Sequence, residues 1–145
     1  MKKIILGSLV LVSVIAFFSF RTTGIPVGNE TSVKPGDKVE VFYFHLTRRC
    51  VTCQAVENES RKAIEALYPE QVKKGNVSFT SLNIELEGSK AVAERCKVTG
   101  QTLLVLSGDV RVDLTDKGFM YATTSPDKLK AEIKKTIDPL LISAN

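Results

Sequence analysis

Two cysteines two residues apart, Cys50-Val51-Thr52-Cys53, stand where an apolar run gives way to a helical pattern, and this junction restricts the architecture of the 145-residue chain more than any other feature. The run before it, Val39 to Leu46 (VEVFYFHL), is β-branched and aromatic with one charge. That is the composition of a strand buried on both faces, such as occupies the centre of a parallel or mixed sheet. From Cys50 to Tyr68 the positions Cys53, Val56, Ser60, Ala63, Ile64 and Leu67 recur at steps of three and four, which predicts an amphipathic helix closed by Tyr68-Pro69. Glu57, Glu59, Arg61, Lys62 and Glu65 are assigned to its outward face.

A cysteine in the first turn of a helix has unpaired backbone N–H groups and the positive end of the helix dipole beside its sulfur, so the thiolate is favoured. Cys53 lies one turn deeper on the same side and can close a disulfide with Cys50 without a large backbone movement. Arg48 and Arg49 precede the pair, and their charge is expected either to favour the Cys50 thiolate further or to select an anionic partner. The pattern therefore names Cys50 as nucleophile, Cys53 as resolving thiol and Arg49 as a third site residue. An inert staple is the competing reading, although a four-residue loop removes little chain entropy. A metal site is another, since Cys50, Cys53, Cys96 and His45 would form a Cys₃His set of a type that binds zinc. Cys96 on its own reads as a small buried hydrophobe, and His45 as a strand-end histidine close enough in sequence to tune the pair.

Further elements follow in alternation. Val77 to Ile84 (VSFTSLNI) reads as a strand, Ser89 to Cys96 as a short helix capped by Ser89, and Leu103 to Leu106 (LLVL) as a third strand. Ser107-Gly108-Asp109 turns into a hairpin strand over Val110 to Leu114. Ser125-Pro126-Asp127 begins a last helix that runs through Leu129, Ile133 and Ile137 to Asp138-Pro139. The order β, α, β, α, β, β, α predicts an α/β domain over residues 38–145 with a small mixed sheet flanked by helices.

Composition narrows the function classes. Hydrophobic residues make up 43% and charged residues 25%, ordinary globular values that exclude wholesale disorder and a coiled coil. The length excludes a large multi-domain enzyme. A net charge of +4 would draw attention to nucleic acid, but Lys2 and Lys3 supply half of it. From Arg21 onward 18 basic and 16 acidic residues are interspersed, so no basic face and no nucleic-acid partner is expected. The two lysines precede Ile4 to Phe20, where 13 of 17 residues are strongly apolar and none is charged. Residues 1–21 thus read as a signal peptide or an N-terminal membrane anchor, and residues 22–37, rich in Gly, Pro, Thr and Ser, as a linker. Positive charge at the start keeps that end in the cytoplasm and sends the domain across the membrane into an oxidising compartment.

A strand, a CxxC at a helix start and the succession that follows resemble the thioredoxin fold over about residues 36–140. The stretch Val98-Thr99-Gly100-Gln101-Thr102-Leu103-Leu104 is similar to the family's V-x-G-x-P-T lead into its third core strand. The resemblance places Thr102 where the family has a cis-proline facing the disulfide, and so implies Thr102 as a fourth site residue. The tryptophan that usually precedes the first cysteine is missing, and Phe42-Tyr43-Phe44 stands where the family buries an acid. A closer likeness is to a small bacterial thioredoxin-like family named nitrophenyl compound nitroreductase subunit and associated with arsenic-resistance gene clusters. Its F-H-x-x-R-R-C-x-T-C signature is matched by Phe44-His45-Leu46-Thr47-Arg48-Arg49-Cys50-Val51-Thr52-Cys53.

Residues and resemblance together lead to the expectation of an extracytoplasmic thiol–disulfide oxidoreductase, periplasmic or anchored to the inner membrane. Its substrate would be a protein or small-molecule disulfide, and its electrons would come from a membrane donor if it reduces that substrate. The chain has no flavin-binding pattern, and no cofactor is expected. The rival expectation is a binding protein that captures a soft metal ion or arsenite with the same cysteines.

Overall fold

The computed structural model describes residues 38–142, which fall within one unit, Ser32–Asn145. The export segment and linker read from residues 1–37 lie outside the described residues, and no described helix is long and apolar enough to cross a membrane.

β1 (Val39–His45) is buried on both faces, as its composition requires, and has a neighbour on each edge. On one edge it pairs in parallel with β2 (Val77–Asn83), and on the other antiparallel with β3 (Thr102–Ser107), Phe44 standing opposite Thr102. β3 turns back through Gly108-Asp109 into β4 (Val110–Asp113). Gly108 takes φ +54°, which the tight turn demands and which a residue with a Cβ resists. The sheet order is β2-β1-β3-β4, the mixed sheet that was expected.

Alternation along the strands divides the core in two. Val39, Val41, Tyr43, Leu103 and Val105 face the larger cluster, which includes Val56, Ile64, Leu129, Ile133 and Ile137. These last residues come from α1 (Val51–Leu67) and α5 (Pro126–Ile142). Phe42, Phe44 and Leu104 face a smaller cluster closed by Ala93, Cys96 and Val98 from α3 (Glu87–Arg95) and the turn after it.

Several boundaries differ from the sequence reading. Cys50 is the N-cap of α1 and not its first helical residue. Ser89 does not cap α3: it is buried inside the helix, Leu86 is the N-cap, and the Ser89 N–H donates to the Leu86 carbonyl at 3.0 Å. Pro69 ends α1 as predicted but at once begins α2 (Pro69–Lys74), because the ring that forbids a helical Tyr68 also supplies the φ a new first turn needs. A further short helix, α4 (Thr115–Tyr121), packs on α1 through Gly118, where an added Cβ would come within 3.0 Å of Val56 Cγ1. α5 passes Pro139, forgoing one backbone bond near its end, and Leu140 beyond it is buried in the core.

Candidate functional site

β1 ends at His45 in the middle of the sheet, and residues 46–49 carry the chain into α1. That connection is tied down by the loop after β2: the Thr47 N–H donates to Glu85 Oε2 at 2.7 Å, and Asn83 Nδ2 donates to Thr47 Oγ1 at 2.9 Å. Cys50 follows at the N-cap with an extended backbone, and its Sγ accepts the Cys53 N–H at 3.0 Å. The sulfur does what a serine or aspartate oxygen does at other helix starts. A donor aimed at this sulfur favours its thiolate whenever the bond opens.

Cys50 and Cys53 are joined in a disulfide with Cα atoms 5.0 Å apart. The two ends are unequal in access, Cys50 being exposed and Cys53 only 4% exposed. An incoming sulfur can therefore reach Cys50 and not Cys53. Val51, between them, is 81% exposed and offers an apolar surface beside the reactive atom. Opposite the buried sulfur lies Gln101, the residue before β3, with Nε2 at 3.5 Å and Oε1 at 3.8 Å from Cys53 Sγ. Thr102, buried at the start of β3, turns its hydroxyl to the Gly100 carbonyl at 3.2 Å, which fixes the turn that presents Gln101.

A sheet β2-β1-β3-β4, parallel then antiparallel, with a CxxC disulfide at the helix start after its central strand and the turn before β3 facing the sulfurs, decides the fold. It is thioredoxin-like. Comparison with solved structures finds thioredoxin O2 from Arabidopsis thaliana in its oxidized state, at 18% identity over 71% of this chain and 78% of that one, TM-score 0.49. It also finds a malarial protein at 20% identity over 68% of this chain and 96% of that one, TM-score 0.43. No family model and no curated protein matches the chain.

The thioredoxin-like domain sorts its two adjacent arginines in opposite directions. Arg48 is exposed. Arg49 turns inward, forms an ion pair with Glu57, donates to the Cys53 carbonyl at 3.5 Å and lies 5.8 Å from the Tyr43 ring centre. Its charge is thus taken up by a carboxylate of α1 itself, and Arg49 braces the helix start instead of standing free beside Cys50. Glu57 and Arg61, assigned from sequence to the outward face, are a correction: Glu57 is only 15% exposed, and Arg61 bridges it at 3.2 Å while covering the Phe79 ring. The face of α1 over β2 is wide enough to half-bury both, because β2 is an edge strand whose Ser81 and Phe79 are themselves only partly covered. Burial alone would raise the Glu57 carboxyl, but its bond with Arg49, the Arg49 charge and a bond with Arg61 together hold it below the usual carboxylate range. Tyr43 is fully buried, and that burial pushes its phenol up against the opposing pull of Arg49.

Cys96 does not join the dithiol. It packs with Phe42, Phe44 and Leu104 on the other face of the sheet, beside a 380 Å³ cleft lined by Glu40, Arg95 and Leu106, at the far end of β1 from the disulfide. Burial pushes its thiol up. His45 Nδ1 sits 2.9 Å from the Leu46 carbonyl. The Cys₃His set weighed from sequence is therefore not assembled, and the described residues hold no group of three metal-ligating side chains close enough to share an ion. Gln101, Glu57 and Tyr43 are the site residues that sequence reading missed. Glu57 had a signal, its four-residue spacing from Cys53, whereas Gln101 had only its place next to Thr102.

Proposed function

We propose that the protein is a thiol–disulfide oxidoreductase. One observation carries the reading: the Cys50–Cys53 disulfide has an exposed sulfur capping a 17-residue helix and a buried partner one turn on. In the reducing direction the Cys50 thiolate attacks a substrate disulfide, forming a mixed disulfide and expelling one substrate thiolate, and Cys53 then displaces the other. In the oxidising direction a substrate thiolate attacks Cys50 and the steps run backwards. The likeness of Phe44 to Cys53 to the nitroreductase-subunit family supports the same chemistry, since the shared residues surround the dithiol. The charged and apolar pattern of residues 1–21 supports an extracytoplasmic site of action, with a membrane electron donor if the flow is reductive.

The test is exchange of the purified protein with glutathione. Wild-type protein and a Cys96→Ser variant should exchange alike, Cys50→Ser should be inert, and Cys53→Ser should accumulate the mixed disulfide. A potential near −270 mV, about that of thioredoxin, assigns a reductant, and one near −120 mV, roughly that of the strongest oxidants, assigns an oxidant. Absence of exchange over hours, with one soft metal ion or arsenite bound per dithiol, overturns the redox reading. Cell fractionation that leaves the protein in the cytoplasm overturns the proposed location.

A further inference from the structure

Opening the Cys50–Cys53 bond leaves an electron pair on a sulfur that water scarcely reaches, because Cys53 is 4% exposed. An unsolvated thiolate is a poor leaving group unless a donor meets it. Among the described residues the side chain within hydrogen-bonding distance of Cys53 Sγ, other than its disulfide partner, is Gln101. With the disulfide closed this sulfur carries no hydrogen, so of the two amide contacts only the Nε2–H, at 3.5 Å, can be a hydrogen bond. The Oε1 at 3.8 Å becomes usable when Cys53 is a thiol. One uncharged side chain thus offers a donor to the thiolate and an acceptor to the thiol, so it can accompany the sulfur through both protonation states.

The position is built and not incidental. Thr102 begins β3 opposite Phe44, and its hydroxyl holds the Gly100 carbonyl, so the backbone on both sides of Gln101 is fixed. On the opposite side Arg49 holds the Cys53 carbonyl. The backbones that carry the sulfur and the amide are thus held by separate contacts.

We propose that Gln101 is a catalytic residue of thiol–disulfide exchange, its amide N–H stabilising Cys53 as leaving and attacking thiolate; this rests on the redox reading above. An external thiolate attacks Cys50 Sγ, a bond forms between those two sulfurs, the Cys50–Cys53 bond breaks, and its electron pair passes to Cys53 Sγ, where Gln101 Nε2–H donates to it. In the reverse step Cys53 returns that pair to Cys50 Sγ and expels the external thiolate. A hydrogen bond to a charged group at the weak end of its range is worth about tenfold in rate.

The experiment uses the full chain in detergent and follows opening of the disulfide by glutathione above pH 7. Gln101→Leu should open about tenfold more slowly than wild type. Gln101→Glu, which keeps the size and polarity of the side chain but cannot donate when ionised, should be at least as slow. In a Cys50→Ser/Cys96→Ser background, the pH at which the ultraviolet absorbance of the Cys53 thiolate is half-developed should rise when Gln101→Leu is added. Opening rates within twofold of wild type in both variants, with an unmoved thiolate midpoint, overturn the role of Gln101 while the redox reading stands. A wild-type disulfide that glutathione does not open overturns the redox reading itself.

Discussion

Arg48 and Arg49 are chemically identical neighbours with opposite surroundings, and no pattern within the sequence distinguishes them. Arg49 is defined by what it meets: the Glu57 carboxylate, the Cys53 carbonyl and the Tyr43 ring. The nearly enclosed pair should matter to stability more than an exposed one. Glu57→Gln leaves a largely buried guanidinium without its counter-charge and should cost about 2 kcal/mol at pH 7, between the values for surface and fully buried pairs, as read from urea unfolding. The pH dependence has a definite sign. The folded Glu57 carboxyl lies below its ordinary value of 4.5, so its stabilisation is complete above that value and is lost as pH falls through the folded one. Wild type should therefore lose stability more steeply than Glu57→Gln as the medium is acidified below about pH 4.5, with the two curves converging at the acid end. At this scale the two sulfurs were legible from the sequence because CxxC spacing is local. Gln101 was not, since its contact with Cys53 spans 48 positions and depends on β3 pairing with β1.

Strands and long helices were legible for the reason that makes them stable: each has one periodicity and buries one pattern. β1 follows from its unbroken β-branched and aromatic run, α1 from its apolar spacing, and the β3–β4 hairpin from Gly108-Asp109. The two short helices, α2 and α4, were not legible, because six or seven residues hold too few turns to set a periodicity above the noise of neighbouring turns. Packing decides them. α4 exists where it does because Gly118 lets its backbone approach α1, with Val56 and Leu103 filling the space a side chain would need. Gly118→Ala gains about 1 kcal/mol in helix propensity yet forces a methyl to 3.0 Å from Val56 Cγ1, in a side chain with no exposed surface. The clash should win, giving a net loss of about 1 kcal/mol in urea unfolding. A gain in stability would mean that α4 can slide on α1 without cost.

The mixed sheet carries its helices unevenly. Helices α1 and α5 fill one face with a core of large residues, whereas the other is covered by α3 and the turn that follows it, in a cluster of six buried residues. The site lies at one end of this sheet and on its thicker side, where a nucleophile held by a helix cap has a firm base. Fold class and the location of the dithiol were both legible from the order of elements. The unevenness was not, since it depends on which side of β1 each crossover takes. Local openings of a protein start where the fewest apolar contacts must be broken. Here that is the α3 face, and Cys96, 3% exposed beneath it, is the thiol that such an opening would uncover. With the Cys50–Cys53 bond closed, Cys96 is the free thiol of the chain, so a thiol reagent applied to the oxidised protein should label it at a rate set by how often α3 lifts. Labelling should be far faster than global unfolding and should accelerate in low urea with a slope smaller than that of the whole domain. A labelling rate equal to the unfolding rate would mean that both faces give way together. The cysteine that takes no part in the chemistry is then a clock for the breathing of the molecule.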